Sequence, residues 1–177
     1  TIKEDTAEGL KALKDIGVTD LVMLTGDNRE TAEVVAEQAG ITEVHANLLP
    51  EDKVAIAEQI LDKGRIAAFV GDGVNDAPVL ARVDAGIAMG GLGSAAAMEA
   101  ADVVIMDDNP KKISLAIRIG RKTVRLAKEN IWFALIVKLL VLVLGALGLV
   151  NMWAAVFADV GVAVIAIANS MRALRVK

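Results

Sequence analysis

Residues 131–150 form an unbroken apolar run whose one charged side chain is Lys138, and residues 152–168 form a second whose one charged side chain is Asp159. At about 1.5 Å rise per residue, twenty helical residues cover the roughly 30 Å hydrocarbon layer of a bilayer. The second run is slightly shorter but within the usual range. Only Asn151 separates them. The outer flanks are basic, with Arg118, Arg121, Lys122, Arg125 and Lys128 before the first run and Arg172, Arg175 and Lys177 after the second. This pattern predicts a helical hairpin whose two ends lie in the cytoplasm. Two consecutive spans with basic flanks argue against the alternative of core helices in a soluble protein.

The apolar fraction is 55% of 177 residues, and nearly all the excess lies after Asn130. Before it, charged and apolar residues mix as in a globular domain, so the chain divides near residues 125–130. A net charge of −4, with two Trp, three Phe and no Tyr, leaves neither a basic field nor stacking surfaces for nucleic acid. Cysteine is absent, which excludes disulfides, thiolate metal sites and cysteine nucleophiles. The single His45 reads as a surface residue in a short linker. The chain opens at Thr1 without an initiating Met or a secretory leader, the pattern expected of a region excised from a longer protein.

Along the first part, Ala7, Leu10, Leu13 and Ile16 recur at helical spacing, with Asp5 and Glu8 as a capping pair and Gly17 as a stop. A strand over residues 21–24 leads into Thr25-Gly26-Asp27-Asn28 and a helix over 29–39 that Gly40 closes. The order then repeats. An extended segment at 43–46 passes through Pro50 to a helix over 51–63, closed by Gly64, and residues 66–70 read as a buried strand. Gly71-Asp72-Gly73-Val74-Asn75-Asp76 and a short helix near Pro78 follow, then strands at 85–89 and 102–106. Pro110 begins a long helix. Apolar strands alternating with helices predict a doubly wound α/β domain around a parallel sheet covered on both faces.

Two loops at the carboxyl ends of those strands carry the polar chemistry, where open α/β sheets place ligands. Thr25 offers a hydroxyl to a phosphoryl oxygen, and Gly26 lets backbone N–H groups approach closely. Asp72 and Asp76 present carboxylates toward a hard cation such as Mg²⁺, and Gly71 and Gly73 permit the turn. Lys53, after Pro50-Glu51-Asp52, supplies an ammonium for a transferring phosphoryl group. Taken alone, Lys53 reads as a solvated lysine and Thr-Gly-Asp as a common acidic turn; the ordered trio with Gly-Asp-Gly-Val-Asn-Asp is the specific signal.

That order, Thr-Gly-Asp, then Pro-Glu-Asp-Lys, then Gly-Asp-Gly-Val-Asn-Asp-Ala-Pro, resembles the phosphorylation domain of P-type ATPases, within the haloacid-dehalogenase-like fold. The resemblance covers essentially the whole chain. It implies catalytic roles for Thr25, Gly26, Asp27, Lys53, Asn75 and Asp76. Thr25 and Gly26 contact the phosphoryl group, Lys53 stabilises its charge, and Asp72 with Asp76 holds Mg²⁺, Asn75 helping to organise that site. ATP is the implied phosphoryl donor in the full-length protein. One departure is Ala95, where the family often has an acidic residue. The family's nucleophilic Asp-Lys-Thr-Gly-Thr segment, nucleotide-binding domain and Thr-Gly-Glu loop are absent from this sequence. The chain alone is therefore expected not to hydrolyse ATP by the family mechanism.

Lys138 and Asp159 each place an ionisable group where insertion costs about 2.5–3.5 kcal/mol, a cost usually tied to function. Counted from the turn near Val150 and Asn151, their depths differ by about one helical turn, so they can meet near mid-membrane. Physics alone also allows a structural ion pair pinning the hairpin. Lys138 with Ala158-Asp159-Val160-Gly161 is similar to the last two helices of zinc/cadmium/lead-exporting members, which implies that Asp159 is a ligand of the transported ion and Lys138 its counter-charge. The copper class is expected to show Asn and Tyr, then Met and Ser, instead. Asn169 and Met171 read as helix-end residues. Gly145, Ala146 and Gly148 offer a small-residue surface for a further helix.

These readings divide the chain into residues 1–117 (part of a phosphorylation domain), 118–130 (basic juxtamembrane helix), 131–150 and 152–169 (transmembrane helices) and 170–177 (basic tail). They imply a multi-pass cell-membrane segment of an ATP-driven Zn²⁺, Cd²⁺ or Pb²⁺ exporter working through an aspartyl-phosphate. Its partners are the bilayer and the remainder of the pump. The rival readings are a membrane-anchored phosphatase of the same fold, a copper-class fragment and a catalytically silent remnant.

Overall fold

The computed structural model describes residues 5–71, 74–90, 95–107 and 109–175. Asp72, Gly73 and Lys177, all singled out above, lie outside them. The chain forms two compact units, residues 1–114 and 115–177.

The first unit alternates helix and strand: α1 (Thr6–Asp15), β1 (Val22–Leu24), α2 (Arg29–Ala39), β2 (Glu43–His45), α3 (Pro50–Asp62), β3 (Ala68–Gly71), α4 (Ala77–Leu80), β4 (Ala85–Met89), α5 (Ala95–Ala100) and β5 (Val103–Ile105). Every strand pairing is parallel, in the orders β1-β2 and β3-β4-β5. The fold is therefore of the expected α/β type, with one difference. Among the described residues β1 and β3 each pair on one side only, and β3 exposes Ala68 and Val70 where burial on both faces is expected. Ile66, read as part of that strand, lies before it and is 91% exposed.

Local chemistry explains the boundaries. Asn28 caps α2 by accepting from Thr31 N–H at 2.8 Å, and Gly40 ends it in the left-handed region at φ 68°. Pro50 opens α3, and Asp52 accepts from Leu49 N–H at 2.9 Å. Asp84 and Asp102 tie strand starts by accepting from Ala67 and Gly86 N–H, at 2.9 and 2.8 Å. The core gathers Val79 and Leu80 of α4, Ile87 and Ala88 of β4, Ala57, Ala97 and Ile105. Gly86 has no room for a β-carbon because the Leu80 carbonyl occupies that place.

The expected capping pair of α1 does not form: Asp5 makes no side-chain cap. Lys111 competes for both carboxylates, at 2.9 Å from Asp5 and 2.7 Å from Glu8. Gly9 packs so closely on Pro110 that a β-carbon there would lie 2.9 Å from the proline's own. Glu8 and Asp5, in that order, raise the Lys111 pKa to about 12 by accepting from its ammonium.

Helix α6 runs from Lys111 to Ala146 and α7 from Met152 to Ser170, followed by a 3-10 turn at Met171–Arg175. Both are long and apolar enough to cross a membrane, with mean hydropathy of 1.9 and 1.8 in their apolar windows. The architecture is consistent with a transmembrane hairpin. Helix α6 stops four residues before the expected end. Gly148 adopts φ 72°, its N–H donates to Gly145 O at 3.0 Å, and Leu149 N–H donates to Leu144 O at 2.9 Å. This is a Schellman closure, so Gly148 terminates the helix instead of adding to a packing surface. Asn151 then caps α7 by accepting from Ala154 N–H at 2.9 Å. At the other end Asn130 donates to Ser170 Oγ at 2.9 Å and to Ala166 O at 3.2 Å, and accepts from Asn169 Nδ2 at 2.9 Å. These bonds tie α6 to α7.

Candidate functional site

Strand β1 delivers Thr25, and two neighbouring loops hold it. Its N–H donates to His45 O at 3.0 Å and its carbonyl accepts from Leu48 N–H at 3.0 Å. Asp27 N–H donates to Thr25 Oγ at 3.1 Å, folding the loop back on the hydroxyl, whose own hydrogen remains available for donation. Asn47 N–H donates to Asp27 O at 2.8 Å, and Asn47 takes φ 56°, which an Asn tolerates better than most residues. Gly26 and Asp27 are exposed. His45, expected in a surface linker, instead ends β2, half-buried, with Nε2 3.1 Å from Glu43 Oε1.

Lys53 sits in the first turn of α3, its N–H donating to Leu49 O at 3.2 Å. Its ammonium reaches Asp76 at the end of the 3-10 turn Val74–Asp76, with Nζ 2.7 Å from Oδ1. The two side chains are 15% and 12% exposed. The solvated-lysine reading of Lys53 is thus incorrect: α3 begins at Pro50, and the fold turns its first helical turn onto the β3–α4 connection. A β-carbon on Gly71 would lie 2.8 Å from Asp76 Oδ2 and 2.9 Å from its Cβ, so glycine is what lets this carboxylate fold back against the strand end. Asn75, in the same turn, is exposed. A desolvated charge pair at the carboxyl ends of parallel strands is suited to binding a phosphoryl group, whose arrival competes with the carboxylate for the ammonium.

Among the described residues no group of three or more His, Cys, Asp or Glu side chains converges on one point. Lys138 and Asp159 form no ion pair with each other, and both are exposed. Their depths do match. Lys138 lies eight residues, about 12 Å, before the end of α6, and Asp159 lies seven, about 10 Å, after the start of α7. Orientation separates them. Eight residues at about 100° each turn Lys138 roughly 80° away from the Asn130 face that meets α7. Sequence reasoning counted depth but not azimuth. It also passed over Asn47 and Asn130, whose signals were an Asn in a short loop and an amide at the edge of an apolar run.

The parallel β/α unit, with Thr25, Lys53 and Asp76 on the loops above its strands, defines a haloacid-dehalogenase-like domain. Residues 1–84 match the family model described as haloacid dehalogenase-like hydrolase. Over 99% of its length the chain is 55% identical to the cadmium, zinc and cobalt-transporting ATPase of Bacillus subtilis, covering 26% of that protein. It is 54% identical over 97% of its length to the zinc-transporting ATPase of a Synechocystis strain, covering 24%. A crystal structure of a zinc-transporting PIB-type ATPase in an E2·Pi state superposes with a TM-score of 0.91 at 37% identity, over 99% of this chain and 28% of that one. Over nearly its whole length the chain is similar to one region of metal-transporting P-type ATPases, and it spans about a quarter of the length of the curated relatives it matches.

Proposed function

We propose that this chain is the part of a divalent heavy-metal pump that couples an aspartyl-phosphate site to the last two membrane helices. The observation that carries the reading is the desolvated Lys53–Asp76 pair, 2.7 Å apart, with Lys53 on a helix whose lead-in residue Leu48 is bonded to Thr25. Thr25 and the Gly26 backbone receive phosphoryl oxygens, with Asp27 and Asn75 bordering the site. Lys53 neutralises the charge that develops there. A nucleophilic Asp and ATP come from the remainder of the pump, and the edges of β1 and β3 that are unpaired among the described residues are where a further parallel strand fits.

The site's donor set suits Mg²⁺ in kind: the Asp76 carboxylate is a hard oxygen donor, and Asp72 lies four residues before it in the sequence. Asp72 and Asp76 would hold the ion, which supplies charge neutralisation to phosphoryl transfer. Lys53 holds the Asp76 carboxylate in place through their 2.7 Å contact.

In the membrane unit we assign Asp159 as a ligand of the transported ion and Lys138 as its counter-charge. Carboxylate oxygen favours a divalent cargo, Zn²⁺, Cd²⁺ or Pb²⁺, over a soft monovalent one. Both hairpin ends face the cytoplasm, where the basic flanks lie. This divides the chain functionally into residues 1–117, 118–130, 131–150, 152–169 and 170–177. In the full-length protein carrying this segment, Asp159→Ala abolishes Zn²⁺-stimulated ATP hydrolysis. Stimulation that survives the substitution removes Asp159 from the transport site.

A further inference from the structure

Helix α6 carries seven cations and no acid between Lys111 and Lys128, and then enters the apolar run. Arg121, Arg125, Lys128 and Trp132 are spaced four, three and four residues apart, so at about 100° per residue they fall within roughly 60° of helix circumference. They line one shallow groove with Val124 and Glu129. Glu129 faces Arg172 across 3.6 Å, so its charge is offset from the other helix. Lys111 and Lys112, at the start of α6, already hold carboxylates. Arg125 and Lys128 are exposed and have no carboxylate within ion-pair distance among the described residues. Trp132 is 65% exposed.

We propose that this groove binds the phosphate headgroup of an anionic phospholipid of the cytoplasmic leaflet. The inference rests on the reading of α6 and α7 as a membrane hairpin. Taking Ile131 as the edge of the hydrocarbon, Lys128 stands about 4.5 Å and Arg125 about 9 Å outside it, and the headgroup layer is roughly 5–8 Å thick on each side. Both long side chains therefore end among the phosphates. Arg121, about 15 Å out, adds its field within roughly one further Debye length. The Trp132 ring, at the boundary, packs against the glycerol and upper acyl region, where indoles concentrate. Charge complementarity selects the occupant: a zwitterionic headgroup brings its own cation to this stripe, whereas an anionic one does not.

The test uses the whole chain with Trp153→Phe, which leaves Trp132 as the sole indole. It is reconstituted in phosphatidylcholine vesicles in which either phosphatidylglycerol or phosphatidylcholine is brominated near the headgroup end of its acyl chains, at equal mole fraction. Trp132 emission is expected to be quenched preferentially by the anionic lipid. The relative association is up to about fivefold per cation near the surface, and it weakens as salt rises. Arg125→Gln with Lys128→Gln brings quenching down to the phosphatidylcholine level. The charge-matched pair Arg118→Gln with Lys122→Gln, farther from the boundary, retains the preference. Quenching by brominated phosphatidylcholine reports insertion of each variant. Equal quenching by both lipids, the result expected if an acidic protein segment fills the groove instead, overturns the lipid assignment and leaves the hairpin standing. Quenching by neither lipid overturns both.

Discussion

Removing either member of the Lys53–Asp76 pair should be among the most damaging single changes in the α/β unit. At 2.7 Å and an effective dielectric constant of about 20 the direct attraction is about 6 kcal/mol. The exposures of 15% and 12% mean that most of this is unscreened, but also that desolvation has consumed several kcal/mol per ion. The net worth of the pair is therefore modest, while the cost of leaving one charge buried without the other is about 3–5 kcal/mol. Lys53→Met should fall in that range. Asp76→Asn should cost somewhat less, because an amide oxygen still accepts from the ammonium. The double substitution should add little to the worse single, giving a coupling energy of about 2–3 kcal/mol. Amide hydrogen exchange of residues 68–80, in the detergent-solubilised chain, reads these costs as losses of about two to four decades of protection. Gly71→Ala approaches the same pair from the other side by displacing the Asp76 carboxylate, and should reproduce part of the loss. Additive single effects, with coupling below about 0.5 kcal/mol, would refute the view that the two charges act as one unit.

Gly86→Ala drives a methyl group into the Leu80 carbonyl, a backbone atom that cannot rotate away, and should destabilise the unit by about 2–3 kcal/mol. An unchanged thermal midpoint by circular dichroism would show that α4 is not seated on β4 as described. At low pH, Asp107 matters: the hydrogen bond and charge of Lys112 hold its pKa below 3.8, so its stabilising contribution is present above that value and disappears as pH falls through the lowered pKa. Lys111 has the opposite sign. Its pairing with Glu8 and Asp5 is present at neutral pH and fades toward about pH 12, so the midpoint difference between wild type and Lys111→Gln should be constant from neutral pH to pH 10.5 and shrink above it. A difference that grows with pH in that range would contradict the pairing.

Much of this protein was legible in its residues because the relevant signals are local. The alternation of apolar segments with Gly40, Gly64 and Pro50 places α2 and α3 to within a residue, and the strand over 85–89 coincides with β4. The two long apolar runs announce α6 and α7. Loop motifs mark Thr25, Lys53 and Asp76 as candidates because small, cationic and acidic groups in that order are what phosphoryl binding would need. Where reading stopped short, the deciding partner was distant in sequence. Asp5 and Glu8 form a good local capping pair until Lys111 arrives and takes both carboxylates.

The membrane pair shows the same division. Composition and helical rise determine that Lys138 and Asp159 lie at similar depth, since depth depends only on counting residues. Whether they touch depends on the azimuth of each helix, and the bonds from Asn130 to α7 set the face that α6 presents. For Lys53 the outcome reversed. Its sequence neighbourhood looks like a solvated helix start, and only the packing of α3 against the β3–α4 connection, with Gly71 leaving space for Asp76, makes it a buried charge. Residue type and spacing thus determined which groups are present and on which element. The tertiary structure decided which of them meet, because burial and orientation are properties of elements packed together.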